Sequence, residues 1–111
     1  MKRFFIIFLL LLLATSCFAR TESFGPEYDS IVKIFQSEEE PDAMDAIWES
    51  QALFKIGVFK HGRDYDQYAN HACDVIEKNG FQGKTVAIQI VDLKKLAETD
   101  EWVILGEAQC R

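Results

Sequence analysis

The sequence has few of the residues that build metal, redox and phosphate-binding sites. It contains three cysteines, two histidines and six glycines among 111 residues. Metal-binding cysteines usually lie about two to four residues apart and redox pairs usually form Cys-x-x-Cys, a spacing that is absent here. A glycine-rich phosphate loop and a serine-centred nucleophile elbow are also absent. We therefore expect no cofactor, no bound metal and no catalytic residue from these classes.

The chain also lacks an apolar run long enough to span a bilayer, which takes about 20 residues. Its longest run, residues 4–14, follows the basic residues Lys2 and Arg3 and precedes small residues. A positive end, a short apolar core and small residues at the cut are typical of a secretory signal peptide. We therefore expect an exported protein, most simply a periplasmic one.

Two cleavage positions fit the signal. Cleavage after Ala19, which is favoured, leaves a single domain of residues 20–111. Alternatively, residues 14–17 (Ala-Thr-Ser-Cys) resemble the bacterial lipobox, although the lipobox prefers Leu, Val or Ile at the first of these positions. That resemblance implies removal of residues 1–16, a lipid on Cys17 and an outer-membrane location.

The charge of the exported chain limits its partners. From Arg20 onward it carries ten basic and eighteen acidic side chains, a net charge of −8. This charge argues against nucleic acid and against anionic membrane surfaces as partners. Membrane attachment is expected only through a lipid on Cys17, and the partner is expected to be an envelope protein or a ligand.

The cysteines predict one disulfide. Either cleavage removes Cys17 from disulfide chemistry, which leaves Cys73 and Cys110 in an oxidising compartment. A Cys73–Cys110 bridge would close a loop of 37 residues, for which the chain-entropy model gives about 4 kcal/mol of stabilisation.

The first half of the chain predicts a helix and a strand. Apolar residues at helical spacing after Pro26 indicate a helix over residues 27–37. The acidic run 38–40 indicates a solvated link or the first turn of the next helix, where carboxylates favour the helix dipole. Residues 42–50 are ambiguous, but Met44, Ile47 and Trp48 fit a helical face. Alternation from Leu53 onward indicates the first strand.

The second half predicts a helix followed by two strands. Between Asp64 and Asn79 an apolar stripe runs at i, i+3, i+4, i+7, i+8 and i+11, with Asp64 as the cap. Strands are expected over residues 84–92 and 101–109, with Trp102 and Ile104 on the same side as Cys110. The predicted fold is α+β: a small two-layer α/β sandwich with a three-stranded mixed sheet, in the order helix–strand–helix–strand–strand.

The loop after the first strand holds the candidate contact residues. His61, Arg63 and Asp64 follow the carboxyl end of a strand, where open α/β sheets tend to bind ligands. A polar loop with a helix cap is the simpler interpretation. His71 lies two residues from Cys73, so the two point in different directions on a helix and form no dyad. His71 is expected to face solvent.

These observations favour a non-enzymatic exported module that binds a protein or another envelope component. Its small size, acidic surface and single disulfide motivate this hypothesis. The alternative is a small-ligand sensor or a hydrolytic enzyme that uses His61, Arg63 and Asp64. Convergence of these side chains on a concave pocket with a further acidic residue would favour the alternative.

Overall fold

The computed structural model describes residues 23–111 and arranges them as helices packed on a sheet. In chain order the elements are α1 (Pro26–Phe35), β1 (Asp45–Ser50), β2 (Leu53–Val58), α2 (Tyr65–Ile76), β3 (Val86–Asp92), α3 (Leu93–Thr99) and β4 (Ile104–Cys110). The predicted signal segment, residues 1–19, and Cys17 lie outside the described residues. None of the helices between residues 23 and 111 is long and apolar enough to cross a membrane.

The strands form one mixed sheet in the order β1-β2-β3-β4. β1 pairs antiparallel with β2, β2 pairs parallel with β3, and β3 pairs antiparallel with β4. The α+β class, the parallel pair joined through a helix and the antiparallel final pair are confirmed. The predicted three strands and their order are wrong, because residues 23–111 form four strands and β1 precedes the three that were predicted.

β1 occupies the segment whose sequence pattern was ambiguous. Ala46 and Trp48 are buried while Ile47 is 48% exposed, so burial alternates with the period of a strand. Met44, which the helical interpretation placed on a buried face, is 46% exposed. The strand prevails because a short turn pairs its backbone with β2, and this pairing outweighs a weak local helical pattern.

Helices α1 and α2 cover the same face of the sheet. Pro26 occupies the first turn of α1, where its missing N–H costs no hydrogen bond, and Tyr28, Ile31 and Phe35 face the core. The Trp48 indole Nε1 donates a 3.0 Å hydrogen bond to the Tyr28 carbonyl and so ties β1 to α1. Most aromatic side chains of residues 23–111 lie in this core.

The predicted stripe of α2 is its buried face. The Asp64 carboxylate caps the helix, and a π-helical turn, Glu77–Phe81, follows it with Gly80 at φ 104°. Phe81 is fully buried, so the chain folds back onto the core after this turn. The buried stripe consists of Tyr65, Tyr68, Ala69, Ala72, Cys73 and Ile76.

The predicted disulfide is confirmed. Cys73 of α2 and Cys110 of β4 are joined, with their Cα atoms 5.4 Å apart, and both residues are buried. The bridge therefore fastens α2 to β4 on the core side of the sheet.

The start of β4 departs from the prediction. Trp102 precedes the strand, and both Trp102 and Ile104 are exposed rather than directed into the core with Cys110. The register of β4 against β3 shifts between Ile90 and Val91, so the alternation that holds near Cys110 does not continue back to Ile104. The expectation that Trp102 and Ile104 share the side of Cys110 is therefore wrong.

Candidate functional site

The predicted loop residues meet a carboxylate from the connection between α1 and β1. His61 Nε2 lies 3.5 Å from Asp42 Oδ1, and the Arg63 guanidinium contacts Asp42 Oδ2. The central carbon of that guanidinium also lies 4.7 Å from the centre of the Tyr68 ring. Two of the three predicted residues thus converge on one acidic side chain that the sequence analysis did not single out.

Asp64 has a different role. Its Oδ1 accepts hydrogen bonds from the backbone N–H groups of Asp66 and Gln67, at 3.0 Å and 3.1 Å. A carboxylate at this position satisfies N–H groups that a helix start otherwise leaves without partners. The structure therefore uses Asp64 to begin α2, and His61 and Arg63 contact Asp42 instead.

A second contact joins the same connection to α2. His71 Nε2 lies 2.9 Å and 3.1 Å from the two carboxylate oxygens of Glu40, and Tyr68 Oη donates a 3.1 Å hydrogen bond to Glu40 Oε1. Glu40 is buried, so the expectation that the acidic run is wholly solvated is wrong at its last residue. The His71 side chain is half exposed and stacks beside Tyr68, so its expected solvent-facing position holds only in part.

The environment of Tyr68 keeps its hydroxyl protonated. Burial raises the pKa of Tyr68 far above its ordinary value, and the Glu40 carboxylate raises it further through its charge and its hydrogen bond. Asp42 adds to the rise, while the nearby Arg63 cation opposes it. The Tyr68 hydroxyl is therefore a hydrogen-bond donor here and is unsuited to act as a base near neutral pH.

These side chains form what we term the carboxylate clasp, which consists of Glu40, Asp42, His61, Arg63, Tyr68 and His71. The clasp borders a shallow cleft of about 560 Å³ whose lining contains no serine, threonine, cysteine or lysine. Within residues 23–111 no group of three His, Cys, Asp or Glu side chains is placed to hold a metal ion. What the clasp visibly does is bind the connection between α1 and β1 to α2.

The opposite face of the sheet carries exposed apolar side chains. Ile47, Trp102 and Ile104, which we term the open-face patch, are 48%, 55% and 44% exposed. Ile47 pairs across the strands with Lys55, whose ammonium lies 4.3 Å from the centre of the Trp102 ring and 2.6 Å from Glu49 Oε1. The Lys55 side chain is only 13% exposed, so it connects Ile47 and Trp102 beneath the surface.

A groove runs beside the open-face patch. It lies between α1 and β1, and its volume is about 870 Å³. Within residues 23–111, β1 is an edge strand with β2 as its one neighbour. We term the groove the edge groove. Its lining includes Phe24, Asp29, Val32, Lys33, Asp45, Ile47 and Glu49.

Sequence reasoning missed the partners of the loop residues. Glu40 and Asp42 flank Pro41 in an acidic stretch whose composition alone indicates a solvated link. A usable signal was that Tyr68 and His71 lie three residues apart on α2, so that one acceptor can reach both. The outward position of Trp102 had no such signal, because it depends on the register shift in β4.

Comparison of the chain with protein-family models, with curated proteins and with solved structures gives no match.

Proposed function

We propose that this chain is an exported, non-enzymatic module that binds a protein partner in the cell envelope through the face of its sheet opposite α1 and α2. The buried disulfide supports export, because such bonds persist in oxidising compartments. The basic start and short apolar run of residues 1–19 support it as well. The periplasm is the proposed location, and the outer membrane, reached through a lipid on Cys17, is the alternative.

The open-face patch is the observation that carries this proposal. Clustered apolar side chains on an otherwise polar surface mark interaction sites, and tryptophan is enriched among the residues that dominate binding energy. Trp102 rests on the Lys55 ammonium, which is itself paired with Glu49. A side chain held in this way loses less freedom when a partner covers it, which favours binding.

The alternative function, a small-ligand sensor or hydrolytic enzyme built on His61, Arg63 and Asp64, has weaker support. The three residues do not act on a shared pocket: Asp64 caps α2, while His61 and Arg63 are occupied by Asp42. A ligand would have to replace these internal contacts. The observation that favours the alternative is that His61 and Arg63 both contact the Asp42 carboxylate.

Site-specific photo-crosslinking in envelope preparations tests the proposal. A photoreactive residue would replace Ile47 or Trp102 on the open face, and Lys78, on the exposed turn after α2, as the control. We expect the same discrete crosslinked protein from positions 47 and 102 and none from position 78. Trp102→Ala should also reduce the crosslinking from position 47. Equal crosslinking at all three positions, or none at 47 and 102, would contradict the proposal.

A further inference from the structure

We infer that the partner contributes an extended peptide segment that adds to β1 as a fifth strand and lies in the edge groove. This inference rests on the proposed function and specifies how the partner is held. The free edge of a strand presents backbone donors and acceptors, and peptide recognition by strand addition uses them. The groove beside β1 supplies side-chain contacts along the same line.

The backbone of β1 has polar groups that do not pair with β2. The Ala46 N–H donates a 2.8 Å hydrogen bond to the carboxylate of its neighbour Asp45. Backbone groups alternate between the two edges of an antiparallel strand, so those of Trp48 point to the same free edge as those of Ala46. Residues 46 and 48 are only 8% and 7% exposed, so an added strand would reach their donors and acceptors only after the Asp45 side chain moves off the Ala46 N–H.

The other edge of the sheet is closed more firmly. On β4 the Glu107 N–H donates a 3.0 Å hydrogen bond to Asp66 Oδ1 of α2, and Gly106 lies directly against the backbone of Tyr65. A helix fastened by a disulfide blocks this edge. On β1 the cap is the side chain of Asp45, which also accepts a 3.1 Å hydrogen bond from the exposed Gln36 Nε2, so an added strand would have to displace only this side-chain pair. This difference selects β1 as the edge that accepts a strand.

The walls of the groove indicate the residues of the peptide. Phe24 and Val32 line the side of α1 and are only partly buried against the core, and Ile47 is exposed on the side of the open face. Side chains of an added strand alternate between two faces. Apolar side chains at alternate positions of the peptide would therefore pack against Phe24 and Val32.

The charge of the groove indicates what the other positions carry. Asp29, Asp45 and Glu49 line it, with Lys33 as the basic side chain in that lining. Opposite charges across an interface favour one partner over another and speed its association. A basic peptide residue could pair with Asp45 and so release the Ala46 N–H for the added strand. The inferred ligand is a short extended segment in which apolar and basic residues alternate.

Binding of designed peptides to the isotope-labelled protein tests this inference. The probe is an end-capped eight-residue peptide that alternates valine and lysine, and the control replaces lysine with glutamate. We expect the lysine peptide alone to shift the backbone amide resonances of Ala46 and Trp48. N-methylation of those alternate peptide residues whose N–H groups point toward β1 should weaken binding about tenfold, because it removes the hydrogen bonds to β1. N-methylation of the intervening residues, whose N–H groups point away from β1, should leave the affinity unchanged within about twofold.

A pair of charge variants tests the location. Lys33→Glu makes the edge groove more acidic and should tighten binding of the lysine peptide roughly two- to fivefold. Lys78→Glu changes the net charge equally at a distant exposed position and should leave affinity unchanged. Equal effects of the two variants, equal affinities of the two N-methylated peptides, or no binding at about 1 mM peptide would overturn the inference.

Failure of strand addition and failure of the proposed function are distinguishable. If positions 47 and 102 give a discrete crosslink but the lysine peptide does not bind in the edge groove, strand addition is refuted and the proposed function remains supported. Absence of that crosslink would instead count against the proposed function itself.

Discussion

Replacement of Gly106 by alanine tests the packing of α2 on β4 most sharply. A Cβ atom at this position would lie 2.5 Å from the Tyr65 carbonyl oxygen and 2.6 Å from the Asp66 backbone nitrogen. Ordinary contacts of this kind lie at about 3.5 Å. The start of α2 would thus have to move by about 1 Å, and the hydrogen bond between Asp66 and the Glu107 N–H would be strained.

The loss in the free energy of unfolding depends on whether backbone or side-chain atoms must move to make room for the new Cβ. Overpacking usually costs about 1–3 kcal/mol, and we expect Gly106→Ala at or above the upper end because both obstacles are backbone atoms of a capped and disulfide-linked helix. Gly57→Ala is the matched comparison. The three atoms nearest to its Cβ would all belong to the Leu93 side chain, at 2.6 to 3.0 Å, and Leu93 belongs to α3, which has no buried residues. We expect about 1 kcal/mol there, since a side chain can rotate away.

Urea unfolding followed by tryptophan fluorescence measures both variants. Buried Trp48, which stacks on Phe81, reports on the core. The expected result is a larger loss in the free energy of unfolding for Gly106→Ala than for Gly57→Ala, with similar slopes against urea. A loss below about 1 kcal/mol for Gly106→Ala, or the reverse order, would refute the close packing of α2 on β4.

Changing both Cys73 and Cys110 to serine should lower the free energy of unfolding by about 4 kcal/mol in denaturant titrations; unchanged stability would contradict a structural role for the bridge. Glu40→Ala should cost about 1–3 kcal/mol because it leaves the buried Tyr68 hydroxyl without its acceptor, while the exposed Glu39→Ala should stay within about 0.5 kcal/mol; equal losses would argue against the clasp. Because the folded state raises the pKa of Tyr68, the protonated Tyr68 hydroxyl contributes fully to the free energy of unfolding below about pH 10. That contribution is lost as pH rises further, by up to about 1.4 kcal/mol per pH unit. In urea titrations at several pH values, the free energy of unfolding of Tyr68→Phe should fall less steeply above about pH 10 than that of the unchanged protein. The same dependence on pH for both proteins would refute this account of Tyr68.

The elements with strong periodicity were predictable from sequence. The stripe of α2, the Asp64 cap and the pairing of Cys73 with Cys110 each rest on local spacing or on elimination, and the structure confirms all three. Local signals suffice where one face of an element is continuously apolar and its ends carry strong capping residues.

β1 and the start of β4 were not predictable in the same way. Ala46, Ile47 and Trp48 are too few to separate a helical face from an alternating strand, and the pairing with β2 decided between them. The exposure of Trp102 follows from a register shift near Val91, which alternation alone does not reveal. Both failures concern edge strands, whose form depends on tertiary contacts more than on local preference.

The candidate site was predictable only in its loop. His61 and Arg63 stood out as polar residues after a strand, but their partner Asp42 comes from a segment that ends near α2 only once the chain has folded. The burial of Glu40 likewise follows from contacts with Tyr68 and His71, more than 25 residues away. Long-range pairing of this kind leaves little trace in a single sequence.

Oxidative footprinting of the two tryptophans tests the central claim most directly. In the purified protein, Trp102 should be labelled readily and Trp48 hardly at all, because they are 55% and 7% exposed. In intact envelopes, labelling of Trp102 should fall several-fold while the exposed peptide around Lys78 remains as reactive as before. Equal labelling of Trp102 in both preparations would contradict the claim that a partner covers this face of the sheet.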